Sequence, residues 1–296
     1  MLAKCCLAFL LLASVAARAA TDTSAARLIE ANNAVEASYA LSEVHYGEMR
    51  NGAYLDTENG ALRGGELGLS WMGALRMPVR VHRHAGVVRG FYLHVAYRET
   101  AGGLHYDGAL QTLQGQVLES LHNTSRARFK DGIFRLGQGF VPSAQVLLTP
   151  YLELGLHEWD RTLSGEWGYQ ETYRNAFYGL GVRVQYAAGA RWILSGAVAA
   201  GRTADARITV DMARAGLGQT TMRLGPAPYY RAEIGADVAL GRRLHAFAKL
   251  AYSRFEYGAS SQGWLYSGTT YLAMVMVEPS STTAIASCAL GLRYTY

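Results

Sequence analysis

Residues 146 to 159 read VLLTPYLELGLHEW. Leu148, Leu152, Leu154 and Leu156 share one face, and Tyr151, Glu153, Gly155 and His157 share the other. A period of two is that of a β-strand. Leucines on one side and ionisable groups on the other suit either a half-solvated sheet or a barrel whose outside is lipid. The rest of the chain decides between them.

The chain begins MLAKCCLAFLLLASVAARAA, with Lys4 ahead of an apolar stretch from Cys5 to Ala17 and small residues at Ala17 and Ala19. That pattern predicts a secretory signal peptide over residues 1–19, with a barrel domain over 20–296. Cys5 and Cys6 leave with it, so only Cys288 remains, and the exported chain is expected to form no internal disulfide and no cysteine metal cluster. A membrane-spanning helix needs ~20 apolar residues. The longest apolar run after the leader is the seven residues Tyr271 to Val277.

Without Lys4 and Arg18, 26 basic residues face 23 acidic ones, a net charge of about +3. A balance that mild predicts no nucleic-acid partner. Charged residues are only 17% of the chain, against ~25% in soluble domains, and the 33 glycines and 19 tyrosines are an excess.

With helices excluded, an all-β antiparallel transmembrane barrel is the remaining way across a bilayer. Ten segments alternate in this way: Asn33–Tyr46, Gly65–Met72, Arg89–Arg98, Arg126–Phe140, Val146–Trp159, Tyr169–Tyr186, Arg191–Val210, Tyr229–Leu240, Arg243–Tyr257 and Thr283–Tyr296. Short turns near Pro142, Ala187–Ala190 and Gly241–Arg242, and a longer one near Pro78, alternate with long polar connections at Gly47–Gly64, Glu99–Ser125, Asp160–Gly168, Thr203–Pro228 and Gly258–Thr282. Periplasmic turns below and surface loops above give that order. The connection Thr203–Pro228 reads as a tall hairpin with AGLG at its tip, and Pro150 predicts a bulge low in the fifth strand.

Outward aromatics fall at two heights. Trp71, Phe91, Phe140, Tyr186, Trp192, Tyr294 and Tyr296 lie at lower strand ends, and Tyr97, Tyr178, Tyr230 and Tyr252 at upper ends, as membrane interfaces favour.

The final stretch, CALGLRYTY (288–296), resembles the last strands of bacterial outer-membrane barrels, which end in an aromatic residue read by the assembly machinery. That resemblance makes Gly291, Leu292, Tyr294 and Tyr296 the expected assembly signal, and the bacterial outer membrane the expected location. LDTENGALRGG (55–65), TPYLELGLHEWDR (149–161), YQETY (169–173) and EPSSTT (278–283) are similar to stretches of proteobacterial outer-membrane barrels of unassigned function. The resemblance spans nearly the whole exported chain and implies no catalytic residues.

Inward ionisable residues are expected to form a lumen of ion pairs, with Glu36 meeting Arg293 across the closing seam and His157 opposite Glu171. Outside, Arg126, Arg128 and Lys130, with Arg174, Arg202 and Arg254, form a basic belt above the upper aromatics, suited to lipopolysaccharide phosphates. No catalytic, cofactor or metal residues are predicted. His82 and His84 are two apart but lack a third ligand.

A rim hydrolase is the rival reading, since barrels resembling omptin proteases, lipid A deacylases and outer-membrane phospholipases occur at this size. Omptins carry closely spaced aspartates and a His/Asp pair at the rim; this chain has no Asp-x-Asp, and its HEWD (157–160) is not Asp-x-His. A narrow channel is the third reading. The expected partners are outer-membrane lipid, lipopolysaccharide and the barrel assembly machinery, with the chain a monomer.

Overall fold

The computed structural model describes residues 24–50, 53–81, 84–111, 117–165, 168–267 and 273–296. The predicted signal peptide and His82 lie outside them. A short helix, α1 (Ser24–Glu30), precedes β1 (Ala34–Arg50), β2 (Ala53–Val81), β3 (His84–Gln111), β4 (Val117–Gln138), β5 (Phe140–Ser143) and β6 (Val146–Leu163). Then come β7 (Gln170–Ala188), β8 (Trp192–Asp211), β9 (Gln219–Arg223), β10 (Pro228–Ala239), β11 (Leu244–Tyr257), β12 (Gly263–Tyr266), β13 (Ala273–Met276) and β14 (Ser280–Thr295).

Ten strands pair antiparallel in the order β1, β2, β3, β4, β6, β7, β8, β10, β11, β14, and β14 pairs back onto β1. The sheet is closed, so no edge is left for lipid to meet. Each barrel strand contains or overlaps one of the ten predicted segments. The seam register sets Glu36 opposite Arg293 and Tyr39 opposite Leu290.

The strands run much further up than their apolar alternation indicates. β2 and β3 absorb most of the predicted loops Gly47–Gly64 and Glu99–Ser125. From Lys130 to Val117, at ~3.3 Å per residue and a ~40° tilt, β4 climbs roughly 30 Å. Over that height the side-chain pattern reverses its meaning. On β1 the outward Val35 and Tyr39 are exposed, whereas the inward Val44 and Tyr46 higher up are buried. On β6 the change falls between outward Leu156 and inward Trp159, and on β11 between outward Tyr252 and inward Phe255. Below the switch the solvent outside is hydrocarbon; above it the solvent is water, so the apolar side chains turn inward and form a core.

That core contains Tyr46, Phe129, Trp159, Tyr173, Phe177, Tyr229 and Phe255 in one continuous cluster. The rings of Phe129 and Trp159 stack at 5.1 Å and those of Trp159 and Tyr173 at 5.0 Å. At the periplasmic end α1 enters the lumen. Leu28 packs among Met72, Tyr92, Leu147, Ala187 and Ile193. Side chains finish the helix: Asn32 Nδ2 donates to the Leu28 carbonyl (2.7 Å) and Asn33 Nδ2 to that of Ile29 (3.1 Å), satisfying carbonyls a helix end leaves open.

The connection 203–228 is the predicted tall hairpin: β8 pairs β9, and Gly216 at the tip has φ 73°, the left-handed region glycine reaches freely. β8 also carries a bulge. Its register against β7 shifts between Arg174 and Ala176, where Asp205 adopts φ 49° and its carboxylate accepts two bonds from Arg207 Nη2. Pro150 makes no bulge. It sits in unbroken register opposite Val182, and on its other side the ladder lapses over Gln138 and Gly139, between β4 and β5, where a residue without an N–H is tolerated.

Candidate functional site: a filled lumen and a basic outer belt

The outer belt is built as the parity requires. Leu67, Leu69, Val95, Leu152, Leu154, Leu180, Leu290 and Leu292 are exposed on the outside of the barrel. All six predicted belt cations also point outward. Arg202 lies directly opposite Tyr178 and Arg254 opposite Tyr230, so these two stand level with the upper aromatics. Four of the six are already neutralised. Lys130 Nζ donates to Glu158 Oε1 (2.5 Å) and Asp160 Oδ2 (3.1 Å), and Arg174 Nε meets Glu158 Oε2 at 2.7 Å. Arg128 pairs with Glu99 (3.2 Å) and Arg254 with Glu256 (2.8 Å). Among the described residues Arg126 and Arg202 form no ion pair, and both are exposed.

Inside, the lower lumen is a lattice of charges. Arg293 donates from Nη2 to Glu36 Oε2 (2.7 Å) and from Nη1 to Asp237 Oδ2 (2.8 Å); Asp237 Oδ1 in turn lies 2.6 Å from His245 Nδ1. Arg135 donates to Glu153 (2.6 Å) and Glu233 (2.7 Å). Lys249 bonds to Glu66, and Arg98 stands between Glu66 and Asp131.

His157 and Glu171 do not meet. The β6–β7 register is not the one a fold about Ser164 would give: His157 stands opposite Asn175 and Glu171 opposite Arg161. His157 Nδ1 lies 2.7 Å from Asp131 Oδ1, and its ring stacks on Phe255 at 4.3 Å. A His/Asp pair is therefore present, but the imidazole is 2% exposed and lies within the aromatic core.

Above that core lies a cluster the sequence reading omitted. Arg161, fully buried, has Nε 2.8 Å from Glu58 Oε1 and Nη1 3.0 Å from Glu171 Oε2. These are charge contacts: none of its N–H bonds is aimed along them. The guanidinium also lies over the Tyr46, Tyr106 and Trp159 rings at 5.4–5.6 Å. Tyr46 donates to Glu48 (2.9 Å), Tyr173 to Glu278 (2.6 Å) and Tyr106 to Asp56 (3.0 Å). Five carboxylates thus surround one cation. Burial raises all five above the ordinary carboxylate range, Glu171 to about 8, and the neighbouring carboxylates add to the effect on Glu48 and Glu171. Burial also holds the Tyr46 and Tyr173 hydroxyls protonated, so they remain donors.

The cap over this cluster comes from the last surface loop. Glu278 N–H donates to Ser260 Oγ (2.8 Å), Gly225 and Gly258 form a bridge, and Leu265 of β12 is fully buried.

At the seam, Tyr296 N–H donates to the Asn33 carbonyl (3.0 Å) and its hydroxyl to the Ser70 carbonyl (3.0 Å); Arg243 Nη1 donates to the Tyr294 hydroxyl (3.3 Å). Gly291 packs where a Cβ would come 2.3 Å from the Ala37 carbonyl oxygen, and Leu292 faces outward.

No protein family and no curated protein matches the chain. Among solved structures it is similar to the outer membrane protease OmpT from Escherichia coli, with a TM-score of 0.58 at 11% identity over 90% of this chain and 97% of that one. Looser likenesses are Ail, the attachment invasion locus protein of Yersinia pestis (TM-score 0.28, 12% identity, 88% and 99% covered), and OprG from Pseudomonas aeruginosa (0.30, 9%, 90% and 99%). At 11% identity the likeness to OmpT is one of fold. Closed ten-strand pairing, an apolar outer belt and that shared fold make this chain a β-barrel of the bacterial outer membrane.

Proposed function

We propose that the protein is a non-enzymatic envelope barrel whose extended wall and surface loops are its working parts. The observation that carries this reading is the filling of the lumen: α1 below, the charge lattice through the membrane, the aromatic core above it, and the β12–β13 cap at the mouth. A solute path would need each of these layers to part. The His157–Asp131 pair lies among them, away from any substrate at the rim.

Planar-bilayer recordings and cleavage assays with peptides and lipid A on refolded protein test this. Flat current traces and intact substrates are expected. Unit conductance steps, or cleavage lost in a His157→Gln variant, would overturn the proposal.

The outward cations support lipopolysaccharide as the partner of the belt. Arg126 and Arg202 carry that reading, because a guanidinium free of carboxylates offers its fork to a phosphate. The bonded final strand supports recognition of Tyr296 by the assembly machinery.

A further inference from the structure

Between α1 and the aromatic core the lumen encloses a cavity of about 60 Å³. That is room for a few waters or one small anion. Six cationic side chains and four carboxylates line it. Five of the cations face carboxylates: Arg98, Arg135, Arg231, Lys249 and Arg293.

The sixth, Arg183, does not. Among the described residues its Nη1 donates only to neutral groups, the Asn32 side-chain oxygen and the Tyr92 hydroxyl, each at 3.1 Å. Arg183 is half-buried, and a cation drawn out of bulk water without a counter-charge is costly.

Two further polar groups on the same walls also lack a partner. Gln185, 1% exposed, accepts from Asn32 Nδ2 through Oε1 (2.8 Å), which leaves its buried Nε2 with no acceptor. His94 stacks parallel to Tyr92 and has a buried Nδ1 with no partner. Asn32 and Tyr92, both bonded to Arg183, tie these side chains into one group. Buried polar groups in folded proteins are almost always paired, and here the unmet groups share a cavity with a cation that no carboxylate faces.

We infer that this cavity is a binding site for one small inorganic anion, of halide to phosphate size, held by Arg183 with Gln185 and His94 completing its shell. The anion supplies the charge that the lattice lacks at Arg183. It also links β3, β7 and the end of α1, so it fastens the periplasmic plug from inside.

Bromide is the probe. Protein refolded and crystallised in sodium bromide is expected to show an anomalous peak within hydrogen-bond reach of Arg183, and wild type is expected to melt several degrees higher in chloride than in gluconate, which is too large for the cavity. In Arg183→Gln both the peak and the chloride effect should vanish, with Arg126→Gln as a surface control that keeps both. If Arg183→Gln does not fold, the wild-type bromide map decides alone. Water without anomalous signal in the wild-type cavity, or an equal chloride effect in wild type and Arg183→Gln, would defeat the inference.

Discussion

Arg293 on the last barrel strand and Glu36 on the first bond across the seam, Nη2 to Oε2 at 2.7 Å and Nε to Oε2 at 3.1 Å. This ion pair joins residues 257 apart in the chain, and the second arm of the guanidinium holds Asp237. Replacing Arg293 by Met strands two carboxylates, so denaturant unfolding in detergent should show a loss of ~3–5 kcal/mol, the range for breaking a buried pair. Restoring part of that loss by adding Glu36→Gln identifies the pair as its origin. Additive losses would show that the two residues act independently.

The carboxylates around Arg161 make stability depend on pH. Glu171 rises from an ordinary value of 4.5 to about 8 through burial. Between those values the folded protein holds a proton that the unfolded chain releases. Stability should therefore be greatest below pH 4.5 with respect to this group, fall as pH rises through the window, and level off above 8. Thermal melts from pH 5 to 9 measure the slope. Glu171→Gln should flatten it, and an unchanged slope would assign the titration elsewhere in the cluster.

The belt separates into two kinds of cation. Arg126→Gln with Arg202→Gln should remove most of the thermal protection that added lipopolysaccharide gives, while leaving intrinsic melting unchanged. Lys130→Gln should cost ~1 kcal/mol or less in intrinsic stability, the range of a surface pair, since it leaves Asp160 without a cation while Glu158 keeps Arg174. Equal lipopolysaccharide protection in wild type and the Arg126/Arg202 variant would mark the belt as a solvated surface.

Tyr296 contributes two backbone-directed bonds at the seam. Tyr296→Asp should leave export intact but lower the heat-modifiable band in membrane fractions several-fold. Tyr296→Phe, which keeps the ring and the N–H bond, should restore most of it. Normal assembly of the Asp variant would remove the terminal ring from the insertion step.

The ten strands were legible because lipid outside imposes one face of leucine and tyrosine, and a period of two survives in so simple a code. Glu36 and Arg293 could be placed opposite each other from parity and closure alone. The upper wall reads as loops for the same reason: above Leu156 and Tyr252 the apolar face turns inward, and alternation of one fixed polarity ends there. The Arg161 cluster was hidden because its acids come from β1, β2, β7 and the approach to β14, with no local spacing to connect Glu48, Glu58, Glu171 and Glu278. Asp131 and Arg135 are legible by parity alone, on the inward face of the strand whose outward face carries Arg126, Arg128 and Lys130. The helix α1 is only seven residues, too short for its Leu28 to show any periodicity.

The reversal of polarity along each strand acts as a waterline. Leucine and tyrosine below it and Lys130, Glu158 and Glu99 just above it fix the draught of the barrel separately on each stave. Sinking by one residue pair would carry a ring of charges toward hydrocarbon, at up to ~1 kcal/mol each near the interface and more with depth. Rising would wet the leucines. The barrel therefore cannot ride higher, sink or list to suit its surroundings, and in a thicker or thinner bilayer it is the lipid that has to bend to meet it.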